Sequence, residues 1–289
     1  MKNSSCIIRN YHPNDFNLLS QLHLSTEQHE ASEPYLTSNP LAEALNRPNY
    51  VPKKDLFLAE MEDEIVGFCS LTPELKIGRV LLYFLVHPEQ RRTGIAARLF
   101  EHAVKRAKEY RVKVAQVEIP ETNLAAKGLL SSLHFNPIRI FKELALELSN
   151  MKNPNVDSAL IRRNLTNGNE NILTDIQNRS FEGTWGFNPN TNEEIIYDLN
   201  RSDRSPEDVI LIYDGNDIIG YCWTKIQPEE NPEQMTRRGR IHMMGVDPDC
   251  RGKGLGKAVL LAGLSHLKDK GIKSVELTVD SENKVACGL

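Results

Sequence analysis

One strand–loop–helix pattern occurs twice in this chain, and it constrains the fold more than any other feature. Residues 86–96 read Val-His-Pro-Glu-Gln-Arg-Arg-Thr-Gly-Ile-Ala, and residues 246–256 read Val-Asp-Pro-Asp-Cys-Arg-Gly-Lys-Gly-Leu-Gly. Arg91, Gly94 and Ala96 precede Arg251, Gly254 and Gly256 by 160 positions, and Asn123 precedes Asn283 by the same offset. Each loop follows an apolar run and opens a helical pattern. The chain therefore reads as two copies of one domain, which agrees with its 289 residues.

The same order of elements is expected in both halves. In the first, Cys6–Arg9 is a short strand followed by a helix carrying Leu18, Leu19, Leu22 and Leu24. Leu56–Ala59 and Ile65–Leu71 form a hairpin, and Val80–Val86 is apolar enough for a central strand buried on both faces. A helix from Gly94 to about Tyr110, a strand at Val112–Ile119, a helix at Asn123–Leu133 and a last strand at Phe141–Leu148 complete it. Ser149–Val156 reads as a polar linker, so the expected domains are 1–149 and 156–289. In the second half, Leu160–Arg163, Val209–Tyr213, Ile218–Ile226, Ile241–Val246 and Lys273–Val279 are strands, and 171–181 and 254–268 are helices. Pro228–Arg238 is a charged loop that could cover an acceptor. The stretch after Leu129 has no counterpart after Leu289, so the second domain is expected to be truncated at its C-terminus, with a sheet edge left unpaired.

The loops carry the chemistry. Gly254 permits a backbone turn that a side chain would oppose, and Gly256 or Ala96 keeps the first helical turn bare. A helix N-terminus adds unpaired N–H donors and partial positive charge, which together favour an anion such as pyrophosphate. The spacing of Gly252, Gly254 and Gly256 is wrong for a dinucleotide fingerprint, and Ala258 lacks the hydroxyl of a P-loop. A ligand-free tight turn is the bland alternative, and two copies in the same context weigh against it.

Bulk properties bound the rest. A net charge of −4 gives no reason to expect nucleic acid, and no apolar run approaches the ~20 residues of a membrane span. Five scattered cysteines without a CxxC read as reduced thiols in a cytoplasmic protein, not as a disulfide frame or a metal site. The repeat may replace a dimer, so a monomer or weak homo-oligomer is expected.

These loops resemble the signature of the GNAT superfamily of acyl-CoA-dependent N-acetyltransferases, Arg/Gln-x-x-Gly-x-Gly/Ala, at Arg91–Gly94–Ala96 and Arg251–Gly254–Gly256. The second half is similar in particular to the mycothiol synthase branch, through residues 185–189, 220–225, 245–248 and 281–283. The resemblance implies an α/β (α+β) fold of two tandem domains, each a mixed sheet splayed at its fourth and fifth strands and flanked by helices. It implies acetyl-CoA as donor and a small-molecule amine as acceptor. Cofactor contacts would come from Met244, Gly245, Val246, Arg251, Gly252, Lys253, Gly254, Leu255, Gly256, Lys257 and Asn283. Their first-half counterparts are Leu85, Val86, Arg91, Arg92, Thr93, Gly94, Ile95, Ala96 and Asn123.

The catalytic Glu of that branch is matched by Arg240, which cannot act as a base. His242 on the same strand is the expected replacement, with Glu276 on the next strand, and Asp280 and Glu282 after it, as further candidates. The Tyr expected as general acid would follow Leu289. Trp185 and Phe187 fall where the superfamily borders its acceptor pocket. The 160 offset matches Arg240 and His242 with Val80 and Leu82, so the first half is expected to bind or support and the second to catalyse. An acyl-CoA-binding protein without activity and a protein N-acetyltransferase are the alternatives.

Overall fold

The computed structural model describes residues 6–30, 38–151, 160–226 and 237–289. Most of the expected linker and most of the Pro228–Arg238 loop fall outside them. The chain divides into two compact units, Met1–Pro137 and Ile138–Leu289.

The first unit runs β1 (Ile7–Asn10), α1 (Phe16–Glu30), α2 (Ser38–Leu45), α3 (Pro52–Asp55), β2 (Leu56–Met61), β3 (Glu64–Glu74), β4 (Arg79–Val86), α4 (Ile95–Glu109), β5 (Val114–Val117) and α5 (Leu124–Ser132). Its five strands lie in the order β1-β2-β3-β4-β5. Every neighbouring pair is antiparallel except β4 and β5. Alternation along the strands gives the sheet two apolar faces. On one, Val80 and Leu82 of β4 pack with Ile95, Leu99 and Ala103 of α4. On the other, Leu58, Ile65 and Phe68 pack with Leu19 and Leu22 of α1. The double burial expected of β4 fails toward its end, where Tyr83 is 45% exposed.

The second unit contains β6 (Phe141–Glu147), β7 (Leu160–Asn164), α6 (Glu170–Phe181), α7 (Asn192–Leu199), β8 (Val209–Asp214), β9 (Asp217–Ile226), β10 (Arg238–Val246), α8 (Leu255–Asp269), β11 (Ser274–Asp280) and α9 (Lys284–Cys287). Its strand order is β6-β11-β10-β9-β8-β7, with β10 and β11 parallel. Ile210, Ile212, Cys222 and Ile241 meet Val259, Ala262 and Leu267 of α8 on one face. Val209, Leu211, Tyr221 and Trp223 meet Leu173 and Ile176 of α6 and Ile195 of α7 on the other. Full burial of each such aliphatic side chain is worth roughly 1.5–3 kcal/mol, so these two layers hold the sheet flat against its helices.

Helices α2 and α3 were not expected from the sequence, and larger departures lie in the second unit. Phe141–Glu147, read as the last strand of the first half, pairs antiparallel with β11 over its whole length, from Phe141↔Asp280 to Glu147↔Ser274. The unit boundary therefore falls at Pro137/Ile138 rather than at 149, and the outer edge of β11 is paired rather than open. The helix α7 was not anticipated. Its start is marked by Thr191, whose hydroxyl accepts from the Glu194 amide while the Glu194 carboxylate accepts from the Thr191 amide.

Close approach of α8 to the sheet depends on missing side chains at Gly220, Gly239 and, most tightly, Gly263. A Cβ at Gly263 would lie 2.2 Å from Cys222 Sγ and 3.2 Å from Ile241 Cδ1. Gly263→Ala gains helix propensity but overpacks this contact. The expected result is a net loss of about 1–3 kcal/mol in denaturant unfolding. Unchanged or raised stability would show that the helix can retreat without cost.

Candidate active site

The parallel pairing of β10 with β11 runs from Arg238↔Ser274 to Ile241↔Leu277 and stops, although both strands continue. At the same level β10 carries a bulge against β9: Ile241 pairs with Thr224 and Met243 with Trp223, leaving His242 as the extra residue. A bulge bends its strand and raises its twist, and this one falls where β10 and β11 part. On the β11 side, residues 242–246 have no strand partner among the described residues.

The bulge also corrects the match between halves. In the first unit β4–β5 pairing ends at Leu82↔Val117, and β3–β4 has no shift of register. Counting from the last paired residue, Arg240 corresponds to Leu81 and Ile241 to Leu82. His242 has no counterpart. The 160 offset holds only beyond the bulge, so Val80 and Leu82 are not the equivalents of Arg240 and His242. The first unit has the same early end to pairing, with an apolar residue at the position of Arg240.

Both loops have the conformation that their repeat implies. Arg92 and Gly252 have φ of 63° and 79°, and Gly94 and Gly254 have φ of 85° and 77°. Arg91 Nε donates to Val86 O at 3.1 Å, and Arg251 Nε donates to Val246 O at 3.2 Å. The arginines thus clamp each loop to the end of its own strand. Gly94 and Gly254 cap α4 and α8 without any side-chain bond, and a Cβ on either would meet nothing within 4 Å. The helix N-termini are left with unpaired donors in open space, a site suited to an anion. At Gly256 the space is shared: an added Cβ would lie 3.4 Å from Leu289. Asn123 and Asn283 use Oδ1 to cap α5 and α9, each accepting an amide N–H at 3.0 Å.

In the second unit α6 braces the loop. Gly245 admits this helix, since a Cβ there would lie 2.5 Å from Ser180 Cβ. At that distance Ser180 O accepts from Arg251 Nη2 at 2.5 Å. Its neighbour Arg179 grips Asp247 with two bonds, at 2.8 and 3.0 Å, and this hydrogen-bonded guanidinium holds the Asp247 carboxyl below its usual range. Asp247 also accepts from the Asp249 amide at 3.0 Å.

Ile241, Met244 and Val246 pack toward α8, as do Val275 and Leu277 of β11. The alternate residues Arg240, Glu276, Thr278 and Asp280 therefore face the other way, toward the side that holds α6. His242 joins them, its ring edge-on to Trp223 with centroids 5.1 Å apart. Burial and then the nearby cations Arg204, Lys225, Arg201 and Arg240 push its pKa down to about 3. His242 is thus a neutral imidazole at physiological pH. Lys225 and Arg204 are themselves paired, with Asp203 and Asp198.

Glu276 is tied to Arg238 at 3.4 Å and Arg240 at 3.8 Å. Arg240 also donates to Thr278 Oγ1 and, at 2.8 Å, to Glu143 Oε1 of β6. Trp185 lies on this face, 40% exposed, with the Arg139 guanidinium 4.8 Å from its ring centre and Phe141 at 6.5 Å. Phe187 instead packs on Phe181 of α6, with centroids 5.3 Å apart. Sequence reasoning did not find Arg139 or Glu143, because pairing of β6 with β11 carries no local signal.

Parallel strands that part at Ile241, a loop clamped to its strand end and a polar face opposite α8 are the three features of the site. The profile of the Acetyltransferase (GNAT) family matches residues 18–135 and 171–289, and the chain belongs to that family as a tandem N-acetyltransferase with acetyl-CoA as donor. It is 28% identical over 259 residues to the mycothiol acetyltransferase of Saccharopolyspora erythraea, covering 82% of this chain and 80% of that one. In fold it is similar to a GCN5-related N-acetyltransferase from Sphaerobacter thermophilus (TM-score 0.70, 20% identity, 96% of this chain and 88% of that one). It is equally similar to a tandem GNAT protein from the clavulanic acid biosynthesis pathway (TM-score 0.70, 15% identity, 98% and 93%). Among the described residues no helix is long and apolar enough to cross a membrane.

The state of His242 has a direct test. In a proton NMR titration its imidazole is expected to stay neutral from pH 8 down to about pH 5, since its pKa lies near 3. An inflection between pH 6 and 7 would contradict the cation-rich environment described for it.

Proposed function

We propose that the second unit transfers the acetyl group of acetyl-CoA to the amine of a small molecule, and that the first unit keeps a related loop without the catalytic groups. The observation that carries this is the bulge at His242. It coincides with the end of β10–β11 pairing and places polar groups on the face opposite α8. In the first unit the corresponding strand is regular and presents Leu81.

The loop at 251–257 fits a pyrophosphate. Arg251 fixes the loop, Gly254 leaves room, the α8 N-terminus offers donors, and Lys253 and Lys257 add charge at its rim. The open edge of Met244, Gly245 and Val246 offers backbone groups to an extended amide-bearing arm, as an added strand would. Asn283 spends Oδ1 on its cap, which leaves its amide group as donor. When bound, acetyl-CoA supplies the acyl thioester. A backbone N–H of the β10 edge then stabilises the oxyanion that develops at its carbonyl.

The acceptor approaches on the face of Trp185, Glu276 and His242. His242 presents an unprotonated nitrogen there, a hydrogen-bond acceptor for the amine or for a water beside it. Glu276 orients Arg238 and Arg240. The acceptor of the mycothiol acetyltransferases is one candidate, with the guanidinium of Arg240 as the main difference in the surface that would receive it.

The reading is tested by following loss of the acetyl-CoA thioester with a panel of small amines. Wild type and Gly94→Trp are expected to turn over. Gly254→Trp, whose side chain fills the space in front of α8, is expected to lose activity at least a hundredfold while remaining folded. Turnover retained in Gly254→Trp and lost in Gly94→Trp would move catalysis to the first unit.

A further inference from the structure

The transferred proton needs a resting place within reach of solvent, and neither of the two groups nearest the bulge is exposed. His242 is surrounded by cations, and Glu276 is half-buried between two arginines. A third polar group stands at the same place. Thr278 is the first outward-facing residue of β11 beyond the last pair with β10, and Glu143 of β6 is registered directly opposite it. Residues opposite one another in an antiparallel pair share a face, so Glu143 stands on the face of Arg240, Thr278 and His242. Its side chain is 60% exposed, and one carboxylate oxygen accepts from Arg240 Nη1 at 2.8 Å. Arg240 is in turn fixed by Thr278 and Glu276. The second carboxylate oxygen is the one available to an arriving group.

From this geometry we propose that Glu143, carried on the strand that precedes the second copy in sequence, is the catalytic base of the second unit, oriented by Arg240. The proposal rests on the acetyl-transfer reading above and names its missing base. The acceptor ammonium gives one N–H proton to the Glu143 carboxylate, directly or through one water. The lone pair so freed forms the C–N bond at the thioester carbonyl carbon. As the C–S bond breaks, the nitrogen of the tetrahedral intermediate gives up its second proton, which reaches the departing thiolate through water, leaving a neutral amide and the free thiol; Glu143 returns its own proton to solvent. Charge is conserved at each step, and no oxidant or reductant is required. Arg240 is a positioning residue here: it fixes the carboxylate and does not itself accept a proton.

The experiment is a steady-state comparison of the full-length wild type with Glu143→Gln, Glu143→Asp and Arg240→Met, on the amine that wild type acetylates, from pH 6 to 10. Glu143→Gln is expected to lower kcat at pH 7 by about 10²–10⁴, the usual contribution of a positioned base. Its KM for acetyl-CoA should stay within about twofold, since the cofactor loop is untouched. Its deficit should shrink as pH rises and the acceptor loses its own proton to solvent. Glu143→Asp should recover part of kcat, and Arg240→Met should lower kcat less than Glu143→Gln does. If Glu143→Gln keeps kcat within threefold of wild type, or its deficit is independent of pH, the assignment of Glu143 is overturned while acetyl transfer stands. If wild type acetylates no amine although it binds acetyl-CoA, the functional reading fails and takes this one with it.

Discussion

The extra residue in β10 is the constraint from which the rest of the second unit follows. With His242 inserted between Ile241 and Met243, β10 keeps its ladder with β9 on one side and loses its ladder with β11 on the other. A strand edge that loses its partner inside a sheet exposes unpaired amide and carbonyl groups, which is costly unless something pairs with them. An extended ligand with amide groups of its own satisfies that edge. The same bulge sends His242 to the face of Trp223, so the inserted residue re-aims a side chain beside the point where the strands part.

Everything around the bulge keeps the opening fixed. Residues with minimal side chains bring helices close on both faces: Gly263 lets α8 rest on Cys222, and Gly245 lets α6 rest on β10. The second approach has a consequence at the loop, because it puts the Ser180 carbonyl within reach of Arg251. Arg251 therefore joins strand end, helix and loop. β6 closes the far edge of β11 and supplies Arg139, Phe141 and Glu143 to the polar face. The unit that holds the proposed active site is consequently built in part from sequence that the repeat alone assigns to the first copy.

What could be read in the sequence was what is local and repeated. The loops at 86–96 and 246–256 announced themselves through glycines and arginines at fixed offsets, and Gly94, Gly254, Arg91 and Arg251 have matching conformations and contacts in the two units. The hairpins and the central apolar strands were equally legible. The bulge was hidden because an insertion of one residue among Arg-Ile-His-Met-Met does not disturb composition, and the loop offset of 160 masked the shift upstream. The partner of β6 was hidden because strand pairing is set by contacts distant in sequence. For the same reason neither the burial that lowers the pKa of His242 nor the cations that add to it, Arg204, Lys225 and Arg201, could be read beside it. Among the missed elements, the start of α7 had a visible sign, the reciprocal Thr191–Glu194 cap.

The open edge of β10 is the proposed seat of acetyl-CoA, and amide hydrogen exchange with and without acetyl-CoA tests that edge most directly. Binding is predicted to slow exchange in residues 243–246 and 252–256, where backbone donors would be covered, and to leave the interior of β9 unchanged. Protection confined to residues 82–96, or none in 243–246 at saturating acetyl-CoA, would contradict a cofactor site in the second unit.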